Sequence, residues 1–149
     1  MEQREVLGPV EGAVGYVLKQ AAVALRSALD AALRPLHLTV TQYACLELLG
    51  QRPGLSNAEL ARGVFVTRQS MNVVLRGLEE RGLVARPAIA PHGRELPTEL
   101  TRAGREILES ASAAVLEVQT TMCTGLTADR QQALLETLGV CIRNLSADA

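Results

Sequence analysis

The reading of the fold turns on residues 56–84: Ser56-Asn57-Ala58-Glu59-Leu60-Ala61-Arg62-Gly63, then Val64-Phe65-Val66, then Thr67-Arg68-Gln69-Ser70-Met71-Asn72-Val73-Val74-Leu75-Arg76-Gly77-Leu78, then Glu79-Glu80-Arg81-Gly82-Leu83-Val84. Ser56 followed three places on by Glu59 is a capping box: the hydroxyl takes an orphan amide of the first turn and the carboxylate reaches back. It opens a short helix that runs to Gly63. Thr67 is the natural N-cap of a second helix. Met71, Val74, Leu75 and Leu78 recur at helical spacing and point inward, and Gly82 supplies the left-handed residue that closes the helix. Two capped helices joined by a turn of three or four residues form a helix-turn-helix.

Downstream, the helical period is lost. Leu83–Arg86 reads as a strand, 87–93 as a turn with Pro91, His92 and Gly93 at its tip, and Glu95–Leu100 as the returning strand. Pro97 needs an edge position, because its nitrogen cannot join a ladder. A hairpin this small must pack on the helices to persist. Thr101 caps a further helix that carries Ile107, Leu108, Ala111, Val115, Leu116 and Met122 and breaks at Gly125. Thr127 caps a last one with Leu134, Leu138, Cys141, Ile142 and Leu145. Upstream, Thr39 and Gln42 form another capping box, for a helix that ends at Pro53-Gly54. Before it, an apolar stripe from Val10 through Val14, Leu18, Ala21, Leu25, Leu29 and Leu33 to Leu36 predicts a long first helix stopping near Pro35. The expected fold is mainly α, a winged helix-turn-helix at residues 39–101 with N- and C-terminal dimerisation helices at 1–38 and 102–149, together one intertwined domain.

Composition narrows the function. Of 149 residues 48% are hydrophobic and only 2% aromatic, with no Trp, so Leu, Val and Ala build the core. That composition argues against a stacking platform for single-stranded nucleic acid. The net charge is −1, yet residues 52–105 hold nine Arg against five Glu while the flanks are acidic. A basic middle suits a polyanion. Cys45, Cys123 and Cys141 lie in apolar helical patterns with no CxxC, so they read as small buried hydrophobes. The two His lack metal-ligand or nucleophile partners at useful spacing, and Asp is scattered, so no enzyme and no cofactor or metal is expected. There is no signal-like or membrane-spanning run, and a cytoplasmic location is expected.

A helix fits the major groove of duplex DNA and a hairpin tip the adjacent minor groove. On the second helix of the pair, Arg68, Gln69, Asn72 and Arg76 point away from the apolar stripe and offer bidentate donors to guanine or adenine. Thr67, Ser70 and the first-turn amides suit phosphate. Arg94 suits the wing.

The ordered set Leu38–Tyr43, Pro53–Ser56, Glu59–Ala61, Leu78–Val84 and Leu100–Gly104, at these spacings, resembles the MarR family over roughly residues 10–145. The resemblance implies an obligate homodimer, paired through the start of the first helix and the last two helices, that places two recognition helices on a pseudo-palindromic operator as a repressor. It also implies a minor-groove Arg at Arg94, braced in the family by an Asp whose place here is taken by His92. That exchange predicts weaker or more pH-dependent DNA binding. A small aromatic or anionic effector is a further implied partner, with Tyr16, Gln20, Arg26, His37 and Tyr43 as candidate ligand-binding residues. Two rivals remain: a winged-helix protein-interaction module without an operator, and a thiol-based redox-sensing regulator acting through Cys45.

Overall fold

The computed structural model describes residues 9–87 and 97–146. The chain divides into two compact units, Met1–Val118 and Gln119–Ala149. Its helices are α1 (Val14–Leu33), α2 (Val40–Gln51), α3 (Asn57–Gly63), α4 (Arg68–Glu80), α5 (Arg102–Met122) and α6 (Ala128–Leu145). Two short strands, β1 (Val84–Ala85) and β2 (Glu99–Leu100), lie between α4 and α5.

The caps form where the sequence places them. Thr39 Oγ1 accepts from Gln42 N at 3.0 Å while Thr39 N donates to Gln42 Oε1 at 2.9 Å. Ser56 and Glu59 repeat the exchange at the start of α3. Thr67 and Thr127 cap α4 and α6, and Thr101 Oγ1 accepts from Gly104 N in the first turn of α5. At the end of α4, Gly82 is left-handed (φ 70°). Gly82 N donates to Glu79 O and Leu83 N to Leu78 O, the paired bonds of a Schellman turn. Arg81 fixes this end of α4 to the corner between α1 and α2, donating to His37 O at 2.7 Å and to Leu36 O at 3.2 Å.

The core of the first unit lies where α2, α3 and α4 meet, with Leu46, Leu60, Met71, Leu75 and Leu78 fully buried and Leu33 and Ala111 closing it from α1 and α5. Burying such a side chain contributes about 1.5–3 kcal/mol.

Several boundaries differ from the sequence reading. The first helix starts at Val14, not Val10, because extended Ala13 separates it from a 3-10 turn at Val10–Gly12. It ends at Leu33, and Pro35 sits in a second 3-10 turn, Arg34–Leu36, where a missing amide is tolerated. Among the described residues, the two wing strands pair at two positions: Val84 opposes Leu100 and Ala85 opposes Glu99. Arg86 leaves the ladder and pairs its guanidinium with Glu79. Thr98, beside Pro97, instead forms an isolated bridge with Leu55, before α3.

The cysteines also divide. Cys45 is buried, whereas Cys123 and Cys141 are half-buried. Both lie in the second unit, where no described residue of α6 is buried. Apolar side chains stay exposed on α1 (Val14, Val17, Leu18, Val23) and on α6 (Leu135, Ile142, Leu145). Among the described residues no helix is long and apolar enough to cross a membrane.

Candidate nucleic-acid interface

The α3–α4 pair is joined by residues 64–67, and α4 presents a sharply two-sided surface. At about 100° per residue, Gln69, Asn72, Val73 and Arg76 fall within roughly one quadrant. All four are exposed, as are Thr67, Arg68 and Ser70, while Met71, Leu75 and Leu78 on the opposite side are buried. No acidic residue lies in the first turn. Thr67 Oγ1 accepts from Ser70 N at 3.0 Å and its hydroxyl reaches Ser70 Oγ at 3.0 Å. The helix N-terminus is thus capped by neutral groups and keeps its positive end toward solvent, an arrangement that favours anions. His92 and Arg94 lie outside the described residues.

Two features of this face were not in the sequence reading. Asn57, the first residue of α3, donates its Nδ2 to Oδ1 of Asn72, which ties the two helices together at the exposed face. The carbonyl of Asn72 is therefore engaged and its own amide nitrogen is the group left to offer outward. Asn57 Oδ1 is buried and lacks a partner among the described residues. Fifteen positions of sequence separate these two amides, so only the packing of α3 on α4 could reveal the pair. The second feature is Val73, an apolar side chain 67% exposed in the middle of a polar face. It stands four residues after Gln69, so helical periodicity alone already puts it there.

The turn before α4 holds Phe65 at φ 63° and 93% exposed. A left-handed backbone costs a non-glycine residue about 1–2 kcal/mol, and nothing among the described residues covers the ring to offset it.

The five candidate effector residues are spread over α1, the α1–α2 corner and α2. Tyr16, Gln20 and Arg26 are exposed on α1, and Arg26 lies 3.7 Å from Asp30. His37 is left-handed and exposed, its carbonyl held by Arg81. Tyr43 is half-buried and donates to Glu47 at 3.4 Å. The same Glu47 carboxylate accepts from Gln51 and from Ser112 of α5. The Tyr43 phenol is held above its usual range, chiefly by burial and further by Glu47, against an opposing Ser112 contact. A cavity of about 370 Å³ opens between the end of α2, β2 and α5, lined by Leu49, Pro53, Leu100, Arg105, Leu108 and acidic side chains, and none of the five reaches it.

Burial pushes the Cys45 thiol up to about 12. Cys45 is fully buried and its thiol is pushed away from the thiolate form, which argues against redox sensing through Cys45.

A profile of the MarR family matches residues 37–95. Over 129 residues the chain is 46% identical to the HTH-type transcriptional repressor Rv2887 of Mycobacterium tuberculosis (strain ATCC 25618 / H37Rv), spanning 85% of this chain and 93% of that relative. Among solved structures, Rv2887 in complex with DNA is similar at a TM-score of 0.73 and 40% identity, covering 91% of this chain and 98% of the other. Rv2887 in complex with salicylic acid is similar at 0.70 and 43% identity, covering 91% and 97%.

Proposed function

Because the chain belongs to the MarR family of transcriptional regulators, we propose that it is a sequence-specific repressor that binds a pseudo-palindromic DNA operator as a homodimer and answers to a small aromatic anion. The observation that carries this reading is the two-sided α4: buried apolar residues on one side, and Gln69, Asn72 and Arg76 exposed together on the other behind an N-terminus without acids. In the major groove Arg76 and Gln69 would reach base edges, while Arg68, Thr67 and Ser70 would hold phosphates and so set the register. His92 and Arg94 would serve the wing. A two-fold partner brings a second α4 to a half-site about one helical turn away, roughly 34 Å. The exposed apolar residues of α1 and α6 support the pairing, since unpartnered patches of this kind are uncommon on soluble monomers.

The relative's salicylic acid complex supports the effector class, and Tyr16, Gln20, Arg26, His37 and Tyr43 are the residues proposed to meet the effector. A regulator of this kind works on chromosomal DNA, hence in the cytoplasm, and needs no catalytic group.

Selection of bound duplexes from a random pool tests the reading. It should return an inverted repeat. Contacts to six or more phosphates should lower affinity about a thousandfold between 50 and 200 mM salt, and salicylate should weaken binding. Recovery of no common sequence, together with a flat salt response, defeats the proposal and favours a protein-interaction role.

A further inference from the structure

The face of α4 contains one residue that its other members do not explain. Gln69, Asn72 and Arg76 all carry hydrogen-bonding groups. Val73 sits among them and is 67% exposed. Exposed helix positions are better filled by Ala, Lys, Glu or Arg, because a β-branched side chain loses rotamer freedom in a helix. The same stiffness holds the two γ-methyls of Val73 in essentially one orientation, aimed outward between the polar groups. No apolar side chain shares this quadrant of the helix, so Val73 is not the edge of a buried patch. The buried stripe already has Val74, which is packed against the core.

The floor of the major groove is polar except at one group, the C5-methyl of thymine. We infer that Val73 is a specificity-determining residue that packs its methyls on the C5-methyl of one thymine in each half-site. The inference rests on the proposed placement of α4 in the major groove. Asn57 Nδ2 donates to the carbonyl oxygen of the adjacent Asn72, which ties that carboxamide to the start of α3.

The experiment removes only the methyl. In the operator recovered by selection, each thymine is replaced in turn by deoxyuridine in both half-sites. Affinity of the full-length dimer is then measured by fluorescence anisotropy for the wild type and for Val73→Ala. Alanine removes no buried atoms and favours the helix, and circular dichroism checks that the fold is kept. The expected result is a single thymine position at which deoxyuridine weakens the wild type about fourfold per half-site, the value of one buried methyl-sized group. At that position the Val73→Ala protein should bind thymine and deoxyuridine equally, while every other position should behave alike in the two proteins.

An operator with no thymine in its half-sites overturns the inference, as does a deoxyuridine penalty that survives Val73→Ala. Gln69→Ala and Arg76→Ala separate this failure from failure of the groove placement. If those variants relax base preference while the methyl cycle is flat, only the role of Val73 falls. If they too leave base preference unchanged, α4 does not read the groove and both readings fall.

Discussion

Replacing Gly104 by alanine tests how tightly the wing is joined to α5. A Cβ added at Gly104 would lie 2.0 Å from the carbonyl oxygen of Leu83 and 3.0 Å from its carbonyl carbon. Even a favourable carbon–oxygen contact needs about 3.3 Å, so helix and strand must separate by more than an ångström. They are bonded together at this point. Thr101 N donates to Leu83 O at 3.1 Å, and the Thr101 hydroxyl donates to Gly82 O while accepting from Gly104 N. Relief of the clash breaks one or two of these bonds, at about 0.5–1.5 kcal/mol each. Overpacking adds about 1–3 kcal/mol, and the better helix propensity of alanine returns about 1 kcal/mol. The net expectation is a loss of about 0.5–5 kcal/mol, centred near 3, read by urea denaturation at fixed protein concentration, since a dimer's stability depends on it. Gly77→Ala, within α4 and with nothing nearer than Gln42 Nε2 at 4.0 Å, is the control and should stabilise by about 0.5–1 kcal/mol. A Gly104→Ala protein as stable as the wild type would refute the account of this junction.

Two further outcomes follow from other sites. Because the Cys45 thiol is raised to about 12 from 9.0, the folded chain keeps a proton that the unfolded chain releases; this contribution is intact below pH 9 and is lost as pH climbs toward 12, at no more than about 1.4 kcal/mol per pH unit. The alkaline fall in unfolding free energy should therefore be shallower in Cys45→Ala, and an identical slope in the two proteins contradicts the burial argument. Asn57→Ala should free the Asn72 carboxamide to present both of its groups, shifting the selected base at its position toward adenine; an unchanged preference would show that the Asn57 contact does not orient Asn72.

Features fixed by local chemistry could be read from the residues alone. The hydroxyls of Thr39, Ser56, Thr67, Thr101 and Thr127 find acceptor or donor partners within three residues, and Gly82 supplies the left-handed conformation that ends α4, so every helix from α2 onward was legible to within a few residues. The start of α1 was not, because the apolar stripe continues through Val10 while the backbone breaks at Ala13. The bridge from Leu55 to Thr98 joins segments more than forty residues apart and leaves no local mark. The polar members of the α4 face were legible by period. The same period also places Val73 on that face, but an apolar residue carries no chemical mark that separates it from the buried stripe. The burial of Cys45 was legible from its apolar helical pattern, whereas the Asn57–Asn72 contact depends on tertiary packing, which no window of sequence contains.

The two bonds from Arg81 to the carbonyls of Leu36 and His37 have a mechanical consequence. They clamp the trailing end of α4 to the bend that follows α1, while the buried side of α4 is keyed into α2 and α3. The helix is then a rod tied at its base, and sliding along its own axis would either break both bonds or carry that bend with it. A force that tilts the end of α1 would reach α4 by two routes, the Arg81 guanidinium at its trailing end and Leu33 in the core the two helices share.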